Sequence, residues 1–285
     1  IPDDGRIRFG LDGRTYLLTG QLGRGDSADV YFGRWVRRLG ELVVVKILRC
    51  PSDRDLLDRE QAMIQELRDS SAPGTDHFVN LIPEPIARGP VRFADRERFV
   101  SVFRWHSGFL HTVHEVLQVH PHGVEPGVAV WTLKRILEVL YWTHQTGHLH
   151  GAVVPPHVLI HPRDHGAMLV GWSASVRSGD SAGVPHFAVA RAWKDWYPDS
   201  RRASCAGDIA MATRCALRMA GGGSFTDAGS IPTPLAELLL SAARGEHSDA
   251  WKLRELITQR SLEILGPPSY CPLPMPGWPM MPGPK

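Results

Sequence analysis

Two stretches of the chain carry residue types that could do chemistry. The first runs Leu22-Gly23-Arg24-Gly25-Asp26-Ser27-Ala28-Asp29-Val30, and Lys46 follows on the β-branched run Leu42-Val43-Val44-Val45. Glycines let a backbone close over phosphate groups without side-chain obstruction, and a lysine on a neighbouring strand supplies a cation to meet them. The pattern G-x-G-x-x-A-x-V is weak alone, since any hairpin uses glycine; Lys46 downstream makes it stronger. The bland alternative is a strand-end lysine at a sheet edge. Glu60, 14 residues after Lys46, is the preferred carboxylate partner because it sits on the first half of its helix; Glu66 is the rival.

The second stretch, Gly147 to Ser173, reads G-H-L-H-G-A-V-V-P-P-H-V-L-I-H-P-R-D-H-G-A-M-L-V-G-W-S. With His144 it holds six histidines: His144, His148, His150, His157, His161 and His165. His157 and His161 have the spacing of a helical pair of metal ligands. However, Val158-Leu159-Ile160 and Pro162 read as strand and turn, so structural or surface histidines are expected and no metal site.

The elements that must position these residues belong to a chain of 285 residues, 43% hydrophobic and 22% charged, with room for a sizeable core. A net charge of +2 gives no sign of nucleic-acid binding. No apolar run reaches the length of a membrane span. The start lacks the basic and apolar regions of a signal peptide, and its lack of Met suggests a domain cut from a longer chain. Cys50, Cys205, Cys215 and Cys271 form no C-x-x-C pair, which favours reduced thiols and a cytoplasmic setting.

Thr15–Leu18 reads as a short strand and Leu42–Leu48 as a buried one. A helix is expected over Asp53–Arg68 with Ser52 or Asp53 capping. Strands are expected over Phe78–Ile86, at an edge or a break because of Pro83 and Pro85, and over Arg98–Trp105. A helix begins near Leu110. The apolar stripe Val130, Leu133, Ile136, Leu137, Leu140, Tyr141 marks a helix over Val128–Gln145, with Gly147 as its C′ glycine. Further helices are expected from Gly207 to Met219, Pro234 to Ala243 and Asp249 to Ile264, the last capped by Ser248. From Gly266 a proline-dense tail reads either as a polyproline II segment lying on the domain or as a linker.

Taken together, residues 14 to 265 resemble the eukaryotic-like protein kinase superfamily. Matching pieces occur in family order: G-R-G-D-S-A-D-V-Y, V-V-V-K, Glu60, a hinge near Phe103–Trp105, H-G-A-V-V-P-P-H-V-L-I, G-W-S, Y-P-D and Gly207-Asp208-Ile209. The resemblance implies an α+β fold. A five-stranded antiparallel N-lobe with one helix would span 1–105, a mainly helical C-lobe 106–265, and the tail 266–285, with a nucleotide cleft between the lobes. It also implies site roles. Leu22, Gly23 and Gly25 would cover phosphates, and Lys46 paired with Glu60 would meet them. Val30, Val44, Val102 and Leu159 would line an adenine site, with Phe103 to Trp105 offering backbone hydrogen bonds. Val44 stands where the family carries Ala, which tightens that roof. His150 and Asp208 would be structural.

The chemistry of the family's motifs is missing. In H-R-D-L-x-x-x-N the Asp accepts the substrate proton and the Asn holds magnesium, as does the Asp of D-F-G. Here Ala152, His157 and Gly171 stand in those places. Each lost electrostatic contact costs about 3–4 kcal/mol of transition-state stabilisation. The resemblance therefore implies a pseudokinase, a regulatory or protein-interaction module. It would hold ATP or another nucleotide without metal and act on a protein partner or on other domains of its parent chain. An atypical kinase or other nucleotide-dependent transferase with rearranged ligands is the alternative, with Asp164 or Asp180 as a displaced ligand. A scaffold with a collapsed cleft is a third reading. Asp199, where the family has a Glu, would brace against His247.

Overall fold

The computed structural model describes residues 7–25, 27–38, 40–93, 96–179, 191–198 and 202–277. Asp180 and Asp199 lie outside them, as does the end of the tail. The described residues fall into two units, one drawn from Ile1–Ile64 and Pro83–Ser107, the other from Gln65–Ile82 and Gly108–Pro276.

The first unit is an antiparallel sheet of six strands, one more than expected. Strand β1 (Ile7–Leu11) pairs with β2 (Arg14–Arg24) across Asp12-Gly13, whose φ values are 48° and 69°. A two-residue hairpin turn needs positive φ at both central residues, and Asp-Gly supplies it at least cost. The short strand expected at Thr15–Leu18 is thereby extended and paired on both sides. Strands β3 (Ala28–Trp35), β4 (Leu42–Leu48), β5 (Pro85–Phe93) and β6 (Arg96–Arg104) complete the order β1-β2-β3-β4-β6-β5. Prolines 85 and 90 sit on the edge strand β5, where a missing N–H costs no ladder bond.

One sheet face holds Phe9, Leu11, Tyr16, Leu18, Val43, Val45, Val100 and Val102 in a common core. Leu11 reaches Gly89 of β5, so the sheet curls around these side chains. On the other face, helix α1 (Arg54–Arg68) sets Leu57 against Ala28 and Leu48, with Phe99 beside them.

Residues 78–82 correct the sequence expectation. They form no strand but follow a short helix α2 (Thr75–Phe78) into a 3-10 turn. The Phe78 ring stacks on Trp142 at 5.6 Å, and Trp142 Nε1 donates to Thr75 Oγ1 at 3.2 Å. Residues 65–82 therefore group with the second unit rather than falling on the N-terminal side of a boundary at 105/106.

The second unit is mainly helical. After β7 (His111–Thr112), helix α3 (Val113–Val119) starts at a capping box in which Thr112 and Glu115 satisfy each other's backbone N–H. Helix α4 (Pro126–Gln145) is the centre, with Leu133, Ile136, Leu137 and Leu140 fully buried. Gly147, at φ 79°, ends it as the expected C′ residue. Short strands β8 (His148–Leu149), β9 (Val158–Ile160), β10 (Ala167–Leu169) and β11 (Val176–Arg177) carry the histidine-rich stretch. Helices α5 (Cys205–Met219), α6 (Thr233–Ala243) and α7 (Ala250–Leu265) pack around α4 and one another. Asp249, not Ser248, caps α7, because its carboxylate reaches the Lys252 N–H at 3.0 Å.

Gly13 has open space around it, so a methyl group there meets no neighbour. Gly13→Ala isolates the cost of positive φ, about 1–2 kcal/mol. The urea midpoint of the sheet unit should fall accordingly, with no change in helical content.

Candidate functional site

In the first unit, register sorts the candidate residues onto two faces. Val30 pairs with Lys46, Lys46 with Ser101, and Val44 with both Phe32 and Phe103. Side chains alternate across a strand, so Val30, Val44, Lys46, Ser101 and Phe103 share one face. Lys46 Nζ donates to Glu60 Oε1 at 2.6 Å and Oε2 at 2.7 Å, and lies 5.6 Å from the centre of the Phe103 ring. Glu60 is 2% exposed. The rival Glu66 is engaged elsewhere. It accepts from Arg177 Nη2 at 2.6 Å and Nε at 3.0 Å, and meets His148 Nε2 at 3.0 Å. Its pKa is lowered, first by the Arg177 hydrogen bonds.

Three expectations for this unit change. Val102 points into the sheet's own core beside Val45 and Val100, so it shares no face with Val44 and lines no site with it. The N–H groups of Arg104 and Trp105 already donate to Glu84 and Leu42 carbonyls, at 2.8 and 3.1 Å. The glycine hairpin is drawn tight: Gly25 N–H donates to Ala28 O at 2.8 Å and Arg49 Nη1 to Gly25 O at 2.8 Å. A Cβ at Gly25 would stand 3.0 Å from Ala28 O, whereas Gly23 has open space. Leu22 sits half-buried in a bulge between Gln21 and Gly23.

In the second unit, Asp208 of α5 is 1% exposed. Its Oδ2 accepts from His150 N–H at 2.8 Å and from His144 Nε2 at 3.1 Å, and its Oδ1 accepts from Gly151 N–H at 2.8 Å. Burial works against a charge on His144, but the hydrogen bond and charge of Asp208, helped by Cys205, outweigh it and push the pKa up to about 9. His150 goes the other way, pushed down to about 4 by burial. Its neutral ring donates from Nε2 to Val170 O at 3.1 Å, accepts at Nδ1 from Ala152 N–H at 3.2 Å, and packs 4.4 Å from Trp172. Gly151, at φ 72°, brings the backbone so close to Ala174 O that a Cβ would stand 2.4 Å away. Only glycine fits there.

The three substituted positions are filled by one another. Ala152 is fully buried. His157 Nδ1 donates to Ala152 O at 2.9 Å, which turns its ring toward Gly171. Gly171 lies in the left-handed region at φ 78°, and a Cβ there would stand 2.5 Å from the ring carbon Cδ2 of His157. The imidazole occupies the place a side chain at 171 would take. Magnesium demands oxygen ligands in octahedral array; an imidazole over a bare glycine does not fit it. Leu159 is half-buried on β9, paired with Thr112 and Met168.

The other candidates resolve locally. Asp164 pairs with His161 Nε2 at 3.3 Å across its turn. His247 meets Ser241 Oγ at 2.9 Å. Among the described residues no group of three or more His, Cys, Asp or Glu could hold a metal ion. The His144–Asp208 pair and the Glu66–His148–Arg177 cluster were not singled out from sequence. Their members are 64, 82 and 111 residues apart, and no local pattern announces such partners.

No protein-family model matches the chain. No curated protein matches it either. Among solved structures it is similar to the BubR1 kinase domain, with a TM-score of 0.65 and 12% identity over 90% of this chain and 83% of that one. It is also similar to the kinase domain of a rhoptry antigen specific to Toxoplasma gondii, with a TM-score of 0.57 and 16% identity over 93% and 89%. At such identities the likeness concerns the fold. The chain has a protein-kinase-like fold, an antiparallel N-terminal sheet with one helix followed by a helical region.

Two outcomes follow from this geometry. His144 holds its proton in the folded chain up to about pH 9, while unfolded histidine loses it near pH 6.5. Its stabilisation is therefore complete below pH 6.5 and fades as pH rises to about 9, a loss of about 3 kcal/mol. His150 stays neutral down to about pH 4, so stability also falls as pH drops from 6.5 toward that value. Urea midpoints of the helical unit should peak near pH 6.5, and His144→Gln should flatten the alkaline limb. Separately, Gly171→Ala should destabilise by about 2–4 kcal/mol, from overpacking on top of positive φ. Adding His157→Ala should recover the overpacking share, so a double-mutant cycle reads coupling of about 1–2 kcal/mol.

Proposed function

We propose that the chain is a pseudokinase: a regulatory module on a kinase-like scaffold that does not transfer phosphate. The observation that carries this reading is the His157 ring seated over Gly171, beside a buried Ala152. The base position has no base, and the two metal positions are packed against each other. An aspartate placed at 171 would meet the His157 ring.

The intact Lys46–Glu60 pair supports one remaining ligand class, a nucleotide held through its phosphates without metal. Lysine at this position meets α/β-phosphates in active kinases, and a cation serves anion binding whether or not catalysis follows. A nucleotide so held would act by stabilising one state of the module toward a protein partner or a further domain of a longer chain. The competing reading, an atypical transferase, draws on the same pair. It lacks a residue for the proton or the metal among those described.

Calorimetric and thermal-shift titrations with ATP, ADP and GTP, each with and without magnesium, separate these readings. The expected result is binding that does not need magnesium and is lost in Lys46→Ala. That variant also removes the donor to both oxygens of a buried carboxylate, so its own stability should fall by about 2–4 kcal/mol. Binding that strictly requires magnesium, with transfer of phosphate to any acceptor, would overturn the pseudokinase. No binding at all would reduce the chain to a scaffold.

A further inference from the structure

The described residues after α7, up to 276, have no helix or strand, yet they lie along the second unit through several specific contacts. Leu273 is 5% exposed. His120 Nε2 donates to Pro274 O at 2.9 Å. The Tyr270 ring lies parallel to His165, 5.5 Å away and tilted by 5°. On its other side His165 meets Trp131 edge-on at 5.3 Å. Cys271 Sγ comes within 3.5 Å of where a Cβ of Gly127 would stand, at the start of α4.

His165 shows what this contact covers. It is a non-glycine residue in the left-handed region, at φ 51°, and is only 1% exposed. Burial pushes its pKa down, and a hydrogen bond to the Cys271 backbone works against that shift. Tyr270, by contrast, is 63% exposed. An aromatic ring that is itself mostly in water therefore forms part of the cover over a buried histidine. That is how a ligand covers a site, and less how a core residue packs.

The segment also has the chemistry of a peptide ligand. Prolines 272, 274 and 276 alternate with Leu273 and Met275. Proline holds the backbone extended and removes N–H donors that burial would strand, so little entropy is lost on docking. Leu273 supplies an apolar anchor, Tyr270 an aromatic one three residues earlier, and the Pro274 carbonyl a single directional bond.

We propose that the surface formed by His120, Gly127, Trp131 and His165 is a peptide-recognition groove, occupied in cis by the chain's own Tyr270–Pro274 segment. The ligand it takes is an extended, proline-alternating peptide with an aromatic residue three places before a leucine. A partner protein engages the module by presenting such a segment in exchange for the tail. Because the tail is tethered, its effective concentration is on the order of millimolar. A free peptide meets a competitor until the tail is weakened.

The test uses the full chain carrying Leu273→Asp, which removes the buried anchor, and a fluorescein-labelled peptide of sequence Pro268 to Gly277 followed by anisotropy. The variant should bind the peptide at least tenfold more tightly than the unaltered chain. Adding Trp131→Ala should abolish the gain, and the peptide with its own Leu273→Ala should bind at least tenfold more weakly. Equal or absent binding in a variant whose circular dichroism is native would overturn the groove and leave the tail as packing. A concentration-dependent dimer of the unaltered chain would overturn the partner assignment in favour of a second copy's tail. Should Leu273→Asp fail to fold, hydrogen exchange in the unaltered chain decides. Leu273 and Met275 amides exchanging at least a hundredfold faster than those of α4 would support a displaceable ligand, and exchange as slow as α4 would refute it.

Discussion

One carboxylate organises the second unit. Asp208 gathers the N–H groups of His150 and Gly151 and the Nε2 of His144, all within 3.1 Å and away from water. A buried charge is tolerable only when paired and hydrogen-bonded, and this one is satisfied from three sides. The consequences spread along the chain. Two consecutive N–H groups pointing at one carboxylate fix the backbone at 150 and 151, where Gly151 takes up a positive φ against Ala174. With that backbone fixed, the neutral His150 ring spans from Ala152 N–H to Val170 O, and Ser175 Oγ bonds back to His150 O at 3.2 Å. The two ends of the stretch from 148 to 175 are thereby tied to each other.

The contrast with Lys46 and Glu60 is informative. Both pairs are buried charges in hydrogen-bonding geometry, and burying such a pair is often no more stabilising than an apolar replacement of the same shape. The Asp208 cluster earns its place structurally, since it carries backbone groups that would otherwise lack partners. Lys46 donates to both carboxylate oxygens of Glu60. Their pairing fixes where an ammonium stands on the sheet face beside Val44, Ser101 and Phe103.

Much of this was legible in the chain because local rules were obeyed. The stripe in Val128–Gln145, the glycine after it and the V-V-V-K run each form as their patterns require. The pairing of Lys46 with Glu60 rather than Glu66 also forms as expected from their places in the chain. What escaped was of two kinds. Residues 78–82 look like strand because Phe78, Val79 and Leu81 are apolar, but Trp142, distant in sequence, stacks on Phe78 and donates from its Nε1 to Thr75 Oγ1, which holds the segment in helical turns. Tertiary contact overrode a four-residue apolar run, which carries no period of its own. The second kind is facing. Val102 and Phe103 are adjacent apolar residues, and only the pairing register tells which one shares the face of Lys46. A shift of one residue exchanges them.

The same reasoning bears on how positions 152, 157 and 171 pack together. An aspartate at 171 would not be refused by the backbone, since aspartate enters the left-handed region more readily than most residues. It is refused by the ring of His157, 2.5 Å from the place of its Cβ. That ring is turned there by the carbonyl of residue 152, and residue 152 is fully buried, as are Val153 and Val154. A carboxylate at 152 would have to be desolvated in that buried place. The ring of His157 thus fills the space that a side chain at 171 would need, and the two positions form one packed arrangement.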